Sequence, residues 1–298
     1  PPATITPLQR KITNAAMTIA DMDDEHPEFL HAVLCQLGLP RSKQGDRKFT
    51  RSAGRSSLMI SAGERYDGMQ WHELPLPYGT RPRLVLTHLC GEAIRTNSRV
   101  VDVSEGIVPF LRRVGIPIGG GQFKGFKNQM TYLAACTMSF GWLANGKVQQ
   151  AQATPIHRFE AWADPFNGQC GLWPDTIELG ADFYDTLRQH AVPLSPTAIG
   201  ALQHSALALD IYTWLAHRLL RIRNHGGVRL SWGNLKDQFG QEYGISKDFK
   251  KDFKPALRKA LAVYPDAKVT SEIGGIRLHC SPPPITQTKI LGFSQKDV

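Results

Sequence analysis

Residues 205–280 read SALALDIYTWLAHRLLRIRNHGGVRLSWGNLKDQFGQEYGISKDFKKDFKPALRKALAVYPDAKVTSEIGGIRLHC. Ser205 is placed to cap a helix that carries Leu207, Ile211, Trp214, Leu215 and Leu219 at helical spacing, and Asn224-His225-Gly226-Gly227 ends it. Val228-Arg229-Leu230 has room only for a short strand. Ser231 caps a second helix carrying Leu235 and Phe239, and Gly240 to Gly244 supplies the turn before a third helix that starts at Ser246. In that third helix Phe249, Phe253, Leu257, Ala260 and Leu261 share one face, while Lys247, Lys251, Lys254 and Arg258 share the other. Tyr264-Pro265 ends it. Val269 to Cys280 then alternates around Gly274-Gly275, a two-residue hairpin signal, with Arg277 and His279 opposite Ile276 and Leu278. Helix, strand, helix, turn, helix and hairpin are the order of a winged helix-turn-helix.

An apolar back and a cationic front suit a helix laid in a DNA major groove, although a lysine-rich face is also what a merely solvated helix carries. The neighbourhood favours the groove. From Thr213 to Lys268 there are twelve Lys/Arg against five Asp/Glu, so the positive excess coincides with the element that would enter DNA. Pro255 is the local conflict, because proline inside a helix costs roughly 3 kcal/mol and kinks the axis. Either the helix bends there, or it starts nearer Lys254 with Pro255 in its first turn.

The same order of elements occurs once before, roughly 125 residues upstream. Arg83 to Thr96 predicts a helix through Leu84, Leu86, Leu89, Ala93 and Ile94, Arg99 to Val103 a short strand, and Ser104 the cap of a helix with Ile107, Phe110, Leu111 and Val114. Gly115 to Gly121 is a turn, Gln122 to about Thr137 a helix, and Phe140 to Phe159 a hairpin around Asn145-Gly146. From Gly106 to Phe159 there are six Lys/Arg and no acidic residue in 54 positions, as proximity to phosphate would favour. Glu160 to Asp185 reverses the sign with six acidic residues and no Lys or Arg. It includes a strand at Thr176 to Leu179 and a helix at Ala181 to Gln189, and is expected to form the joint between the two modules, its acids keeping that joint off DNA.

At 298 residues the chain is long for one domain, and 42% hydrophobic residues suffice for ordinary cores. A net charge of +9 and pI near 9.4 point to a polyanionic partner. No apolar run approaches the roughly 20 residues of a membrane span, and the N-terminus lacks the apolar core of a signal peptide, so a cytoplasmic protein is expected. Cys35, Cys90, Cys136, Cys170 and Cys280 are widely spaced and fit reduced core thiols better than disulfides or a metal site.

Upstream, Thr6-Pro7 starts a helix to about Ala20, an acidic stretch runs from Asp21 to Glu28, and Phe29 to Leu37 reads as a second helix stopped by Gly38-Leu39-Pro40. Gln36-Leu37-Gly38-Leu39 faintly resembles the peptide with which bacterial replication proteins dock on the sliding clamp, without its usual aromatic end. Arg41 to Arg65 reads as an exposed basic loop, with Ser57 to Ser61 as a short strand. The tail after Pro282-Pro283-Pro284 reads as polar and loose.

Enzymatic signatures are missing. Gly115 to Gly125 lacks the Gly-Lys-Ser/Thr ending of a phosphate loop, and no two of the ten histidines flank a single residue as a rolling-circle nickase needs. His31 and Cys35 share a predicted helix face, but two ligands do not make a zinc site, and no nucleophile-elbow motif surrounds a serine. A non-enzymatic protein without cofactor or metal is expected.

Leu76-Pro77-Tyr78-Gly79-Thr80-Arg81-Pro82-Arg83-Leu84, the run Leu209 to Leu219, Tyr264-Pro265, Phe29-Leu30-His31 and Leu39-Pro40-Arg41 together resemble the plasmid-encoded RepA replication initiators, a likeness covering nearly the whole chain. The resemblance implies two tandem winged-helix domains in an α+β fold, binding to direct repeats (iterons) in double-stranded plasmid origin DNA, and origin opening. It also implies recruitment of host replication proteins (helicase, initiator, sliding clamp) and autorepression by a dimer. The expected organisation is a helical N-terminal extension and basic loop over 1–70, a first winged helix over 71–190, a second over 191–285 and a flexible tail over 286–298. By position, the DNA-reading elements are Gln122 to Tyr132 and Lys247 to Lys259. The candidate DNA contacts are Arg112, Arg113, Lys124, Lys127, Asn128, Lys147, Lys236, Lys247, Lys250, Lys251, Lys254, Arg258, Lys259 and Arg277. A dimer through the first module is expected from the family and from the apolar run Tyr132 to Trp142. A winged-helix repressor without initiator activity is the alternative.

Overall fold

Thr6 Oγ1 accepts the Gln9 amide at 3.2 Å, which caps α1 (Pro7–Asp21) where the sequence predicted a start. The expected helix from Phe29 to Leu37 is instead strand β1 (Glu28–His31) followed by α2 (Ala32–Leu37), because β1 pairs with a strand at Ala191–Leu194, far along the chain. His31 lies in that strand, its Nδ1 accepting the Val33 amide at 3.2 Å. His31 and Cys35 therefore share no helix face. The structure, a computed structural model, describes residues 6–21, 26–144, 146–158, 173–240 and 242–285.

The chain from Gly38 to Ala191 forms one unit. Most of the supposed basic loop is sheet: β2 (Lys48–Ala53) and β3 (Ser56–Ser61) pair in register from Lys48–Ser61 to Ala53–Ser56, and a small hairpin, β4 (Glu64–Tyr66) with β5 (Trp71–Glu73), follows. In β2, Phe49 and Arg51 both point inward, Arg51 only 1% exposed with its guanidinium 4.9 Å from the Phe49 ring centre. An inward arginine hides the alternation from a hydrophobicity reading. There follow α3 (Thr80–Arg95), β6 (Val100–Asp102), α4 (Ile107–Val114), α5 (Gly120–Ala135), β7 (Thr137–Ala144), β8 (Lys147–Ala153), β9 (Ile156–Arg158), β10 (Thr176–Leu179) and α6 (Ala181–His190). The sheets run β2-β3-β7-β8 and β6-β10-β9, all antiparallel. Gly106, not Ser104, is the N-cap of α4. Ala144 pairs with Lys147, and Gly146 has φ +72°, so the β7–β8 turn falls where expected, although Asn145 lies outside the described residues. Leu133, Met138 and Phe140 are buried with Leu86 and Leu89 of α3 and Phe183 and Leu187 of α6. The apolar supply of Tyr132 to Trp142 thus goes largely into this unit's own core.

Pro1–Leu37 and Val192–Val298 form the other unit, so the N-terminal residues join the C-terminal half while strands from the expected 1–70 extension join the middle. Pairing of β1 with β11 (Ala191–Leu194) and packing of α1 on α7 (Pro196–Leu202) and of α2 on α8 (Ala206–Arg218) account for this division. Ser205 Oγ accepts the Ala208 amide at 3.3 Å and caps α8, whose Leu209, Ile211, Tyr212 and Leu215 are buried. Strand β12 (Val228–Ser231), α9 (Trp232–Phe239), α10 (Ser246–Ala262), β13 (Val269–Glu272) and β14 (Gly275–Leu278) follow in the predicted order. Ser231 and Asn234 exchange two hydrogen bonds of 3.1 Å, a capping box for α9. The three-stranded sheet has order β12-β14-β13. Its tight turn is Ile273-Gly274 rather than Gly274-Gly275, since Glu272 pairs with Gly275. Gly274 supplies the positive φ (+85°), whereas a Cβ at Gly275 would lie 1.9 Å from the Leu230 carbonyl oxygen, so the second glycine serves strand approach and not the turn.

Cys35, Cys90 and Cys136 are buried free thiols, and burial pushes the Cys136 thiol up to about 12. Cys280 is exposed; Cys170, the start of the acidic joint (to residue 172) and the tail 286–298 lie outside the described residues. No described helix is long and apolar enough to cross a membrane.

Candidate nucleic-acid interface

Helix α10 is continuous through Pro255, so the alternative start near Lys254 does not occur. Pro255 is exposed, and the Lys251 carbonyl, deprived of its partner amide, sits on the wet side, where water can accept the role. Phe249, Phe253, Ala256, Leu257 and Ala260 are buried. At about 100° per residue, Lys247, Lys251, Lys254 and Arg258 fall in one stripe opposite them, and all four are exposed. Asp248 and Asp252 lie on one flank, Asp252 accepting from the Tyr243 hydroxyl at 3.2 Å. Lys259 is on that flank too, half-buried and near enough to His204 that, after burial itself, its charge and that of Lys11 lower the imidazole pKa. It stands apart from the stripe.

On the other flank the Lys250 and Lys254 ammonium groups lie 5.6 and 5.5 Å from the centre of the Trp232 ring, which meets Phe253 edge-on at 6.0 Å. Trp232 is the first residue of α9, so this ring connects the two helices of the turn to two cations. Sequence reading missed it; the signal was an aromatic directly after a cap, one turn of structure away from a lysine-rich helix. Lys236 Nζ donates to the Gly244 carbonyl at 3.3 Å and braces the turn itself. Arg277 is bound to Glu272 and donates to the Gly226 carbonyl at 2.9 Å, and Arg229 reaches Glu272 at 3.6 Å and the Ile273 carbonyl at 2.9 Å. Arg277 therefore holds the hairpin together, while Ile273 at its tip is 96% exposed.

In the Gly38–Ala191 unit, Phe126, Gln129, Met130 and Leu133 of α5 face inward, and Lys124 and Asn128, one turn apart, face out; Lys127 is half-buried. Arg112 and Arg113 end α4 exposed, before Gly115 (φ +76°), with Arg113 paired to Glu105. Lys147 is exposed at the foot of the β7–β8 turn.

The segment Leu76–Leu84 acts at the start of α3. Arg83 is buried and donates to the carbonyls of Leu39 (2.6 Å), Pro40 (3.0 Å) and Gly79 (2.6 Å). Gly79 takes φ +83°, and the Tyr78 amide donates to Gln129 Oε1 at 2.8 Å. Arg81 reaches α5, bonded to Gln122 and lying against Gly125, where a Cβ would come within 2.8 Å of Nη1.

The fold is similar to that of RctB domains 2 and 3 in two solved structures. One matches with TM-score 0.51 and 12% identity, covering 84% of this chain and 97% of that one; the other, a selenomethionine derivative, matches with TM-score 0.53 and 12% identity, covering 93% and 99%. No curated protein matches the sequence. The family model for plasmid-encoded RepA protein matches residues 76–234, a span that opens at Leu76 and reaches into α9, and by that match over more than half its length the chain belongs to the plasmid-encoded RepA family of replication initiators.

Proposed function

We propose that this protein initiates plasmid replication by binding direct repeats in double-stranded origin DNA, using α10 and α5 as the reading helices of two winged helices, one in each unit. The observation that carries the proposal is the exposed stripe Lys247, Lys251, Lys254 and Arg258, backed by a buried phenylalanine face in a helix that follows a tight turn and precedes a hairpin. Bound chains open the origin and recruit the host helicase, the host initiator and the sliding clamp, and they self-associate as dimers that repress their own promoter. No strand is cut in this scheme; binding and recruitment are the whole activity.

The test is complementation. An origin fragment flanked by the gene should replicate in a host lacking the plasmid when this protein is supplied in trans, and supercoiled origin plasmid incubated with protein and divalent metal should stay unnicked. Promoter repression without any replication would select the repressor instead.

A further inference from the structure

Beside the start of α3 lies a pocket of about 250 Å³ whose lining includes Arg41, Tyr78, Arg81, Asn128, Gln129 and Tyr132, and no carboxylate. We infer that this pocket binds a phosphate group. Three features support it independently of one another. The first is charge: two guanidinium groups, Arg41 and Arg81, border one small cavity that no carboxylate lines, and the one side chain Arg81 is bonded to, Gln122, is neutral. The second is an inward-facing donor. Gln129 is only 5% exposed; its Oε1 accepts the Tyr78 amide, which fixes the side-chain orientation, and its Nε2 has no acceptor among the described residues. The third is the helix end. Gly79 provides no side-chain cap to α3, leaving first-turn N–H groups on the pocket wall for an anion.

The volume narrows the ligand. Pockets that enclose whole small molecules measure roughly 300–1,000 Å³, so this one admits a phosphate group and little of whatever carries it. Gly125 leaves room for the Arg81 guanidinium against α5: a Cβ there would lie 2.8 Å from Nη1 and push the guanidinium aside. Asn128 lines the pocket and also belongs to the exposed stripe of α5 with Lys124, which favours a DNA backbone phosphate over free phosphate.

Two arms distinguish the sources. In the first, inorganic phosphate is titrated into the full chain against chloride at matched ionic strength, following the Gln129 side-chain amide by NMR. The parent should shift saturably, and Arg81→Gln, Arg41→Gln and Gly125→Ala, each checked for parental melting, should bind about tenfold more weakly, one lost charge-assisted hydrogen bond. Gly125→Ala keeps every charge and so separates a built site from general attraction. No saturable shift in the parent, or equal shifts in all variants, overturns the inference. In the second arm, which rests on the duplex-binding reading above, single methylphosphonates are scanned through origin DNA. One neutralised position should weaken the parent but not Arg81→Gln. Saturable phosphate binding without such a position assigns the pocket to free phosphate and supports the site; failure of the protein to bind duplex at all leaves the first arm standing as its own test.

Discussion

The Lys254 ammonium sits 5.5 Å from the centre of the Trp232 ring, with Lys250 at 5.6 Å from the same ring. A side chain placed by the capping box of α9 thereby holds two cations of α10 in a defined position, at a contribution on the order of 0.5–1 kcal/mol each. Trp232→Leu keeps the charge and loses the ring, so DNA affinity should fall several-fold with an unchanged salt slope. Lys254→Gln should flatten that slope by about one. Binding isotherms over a salt series check both; equal slopes for the parent and Lys254→Gln would remove this lysine from the interface.

Lys251 and Arg258 are both exposed, so Lys251→Ala and Arg258→Ala should melt with the parent. A contact to a base edge costs about 1–3 kcal/mol on the cognate sequence only, while a phosphate contact weakens binding to every sequence. Fluorescence anisotropy on cognate and scrambled duplexes tells the two apart. Parental affinity in both variants would show that this stripe does not face DNA.

Arg83 is predicted to be structural, unlike its neighbour Arg81. Arg83→Met keeps the aliphatic stem but takes the guanidinium from three carbonyls, of which Pro40 keeps only the Gly79 amide and Leu39 loses its charged donor, and should destabilise the Gly38–Ala191 unit by on the order of 3 kcal/mol. Denaturant unfolding measures it. A variant as stable as the parent would mean that the Leu39–Pro40 segment does not depend on this clamp.

Those two arginines illustrate what was legible. The order of elements from Ser205 to Leu278 could be read because its signals are local: Ser205 and Ser231 cap, glycines break, and Phe249 and Phe253 fix the face of α10. Strand β1 could not, since its partner β11 is remote and its own sequence, Glu-Phe-Leu-His, suits a helix as well. Strand β2 was hidden by the inward Arg51, and Gly275 imitated a turn residue while meeting a strand-packing need. For Arg277 and Lys259, position on a hairpin face or within the reading element did not disclose that Glu272 engages the one and that the other lies off the stripe beside His204. The Leu76–Leu84 motif marked the family without disclosing that Arg83 clamps backbone and Arg81 borders a pocket.

Burial, followed by the charges of Arg221 and Arg218, lowers His217 from 6.5 to about 4. The unfolded chain therefore takes up a proton near its ordinary value that the folded chain refuses until about pH 4. Stability should be full above pH 6.5 and fall as pH drops from there to about 4, by up to about 3 kcal/mol. His217→Gln should flatten this window in urea titrations at stepped pH. An unchanged pH profile would place the loss on other groups.

The most direct measurement is a footprint combined with the stoichiometry of the smallest complex on origin DNA. With α5 and α10 as the two different reading helices proposed for one chain, the site needs no two-fold symmetry. A single molecule should protect about two turns, roughly 20 base pairs, of non-palindromic sequence, and several should line up head to tail on direct repeats. A minimal site that is palindromic and occupied only by two chains would contradict the tandem-reader account.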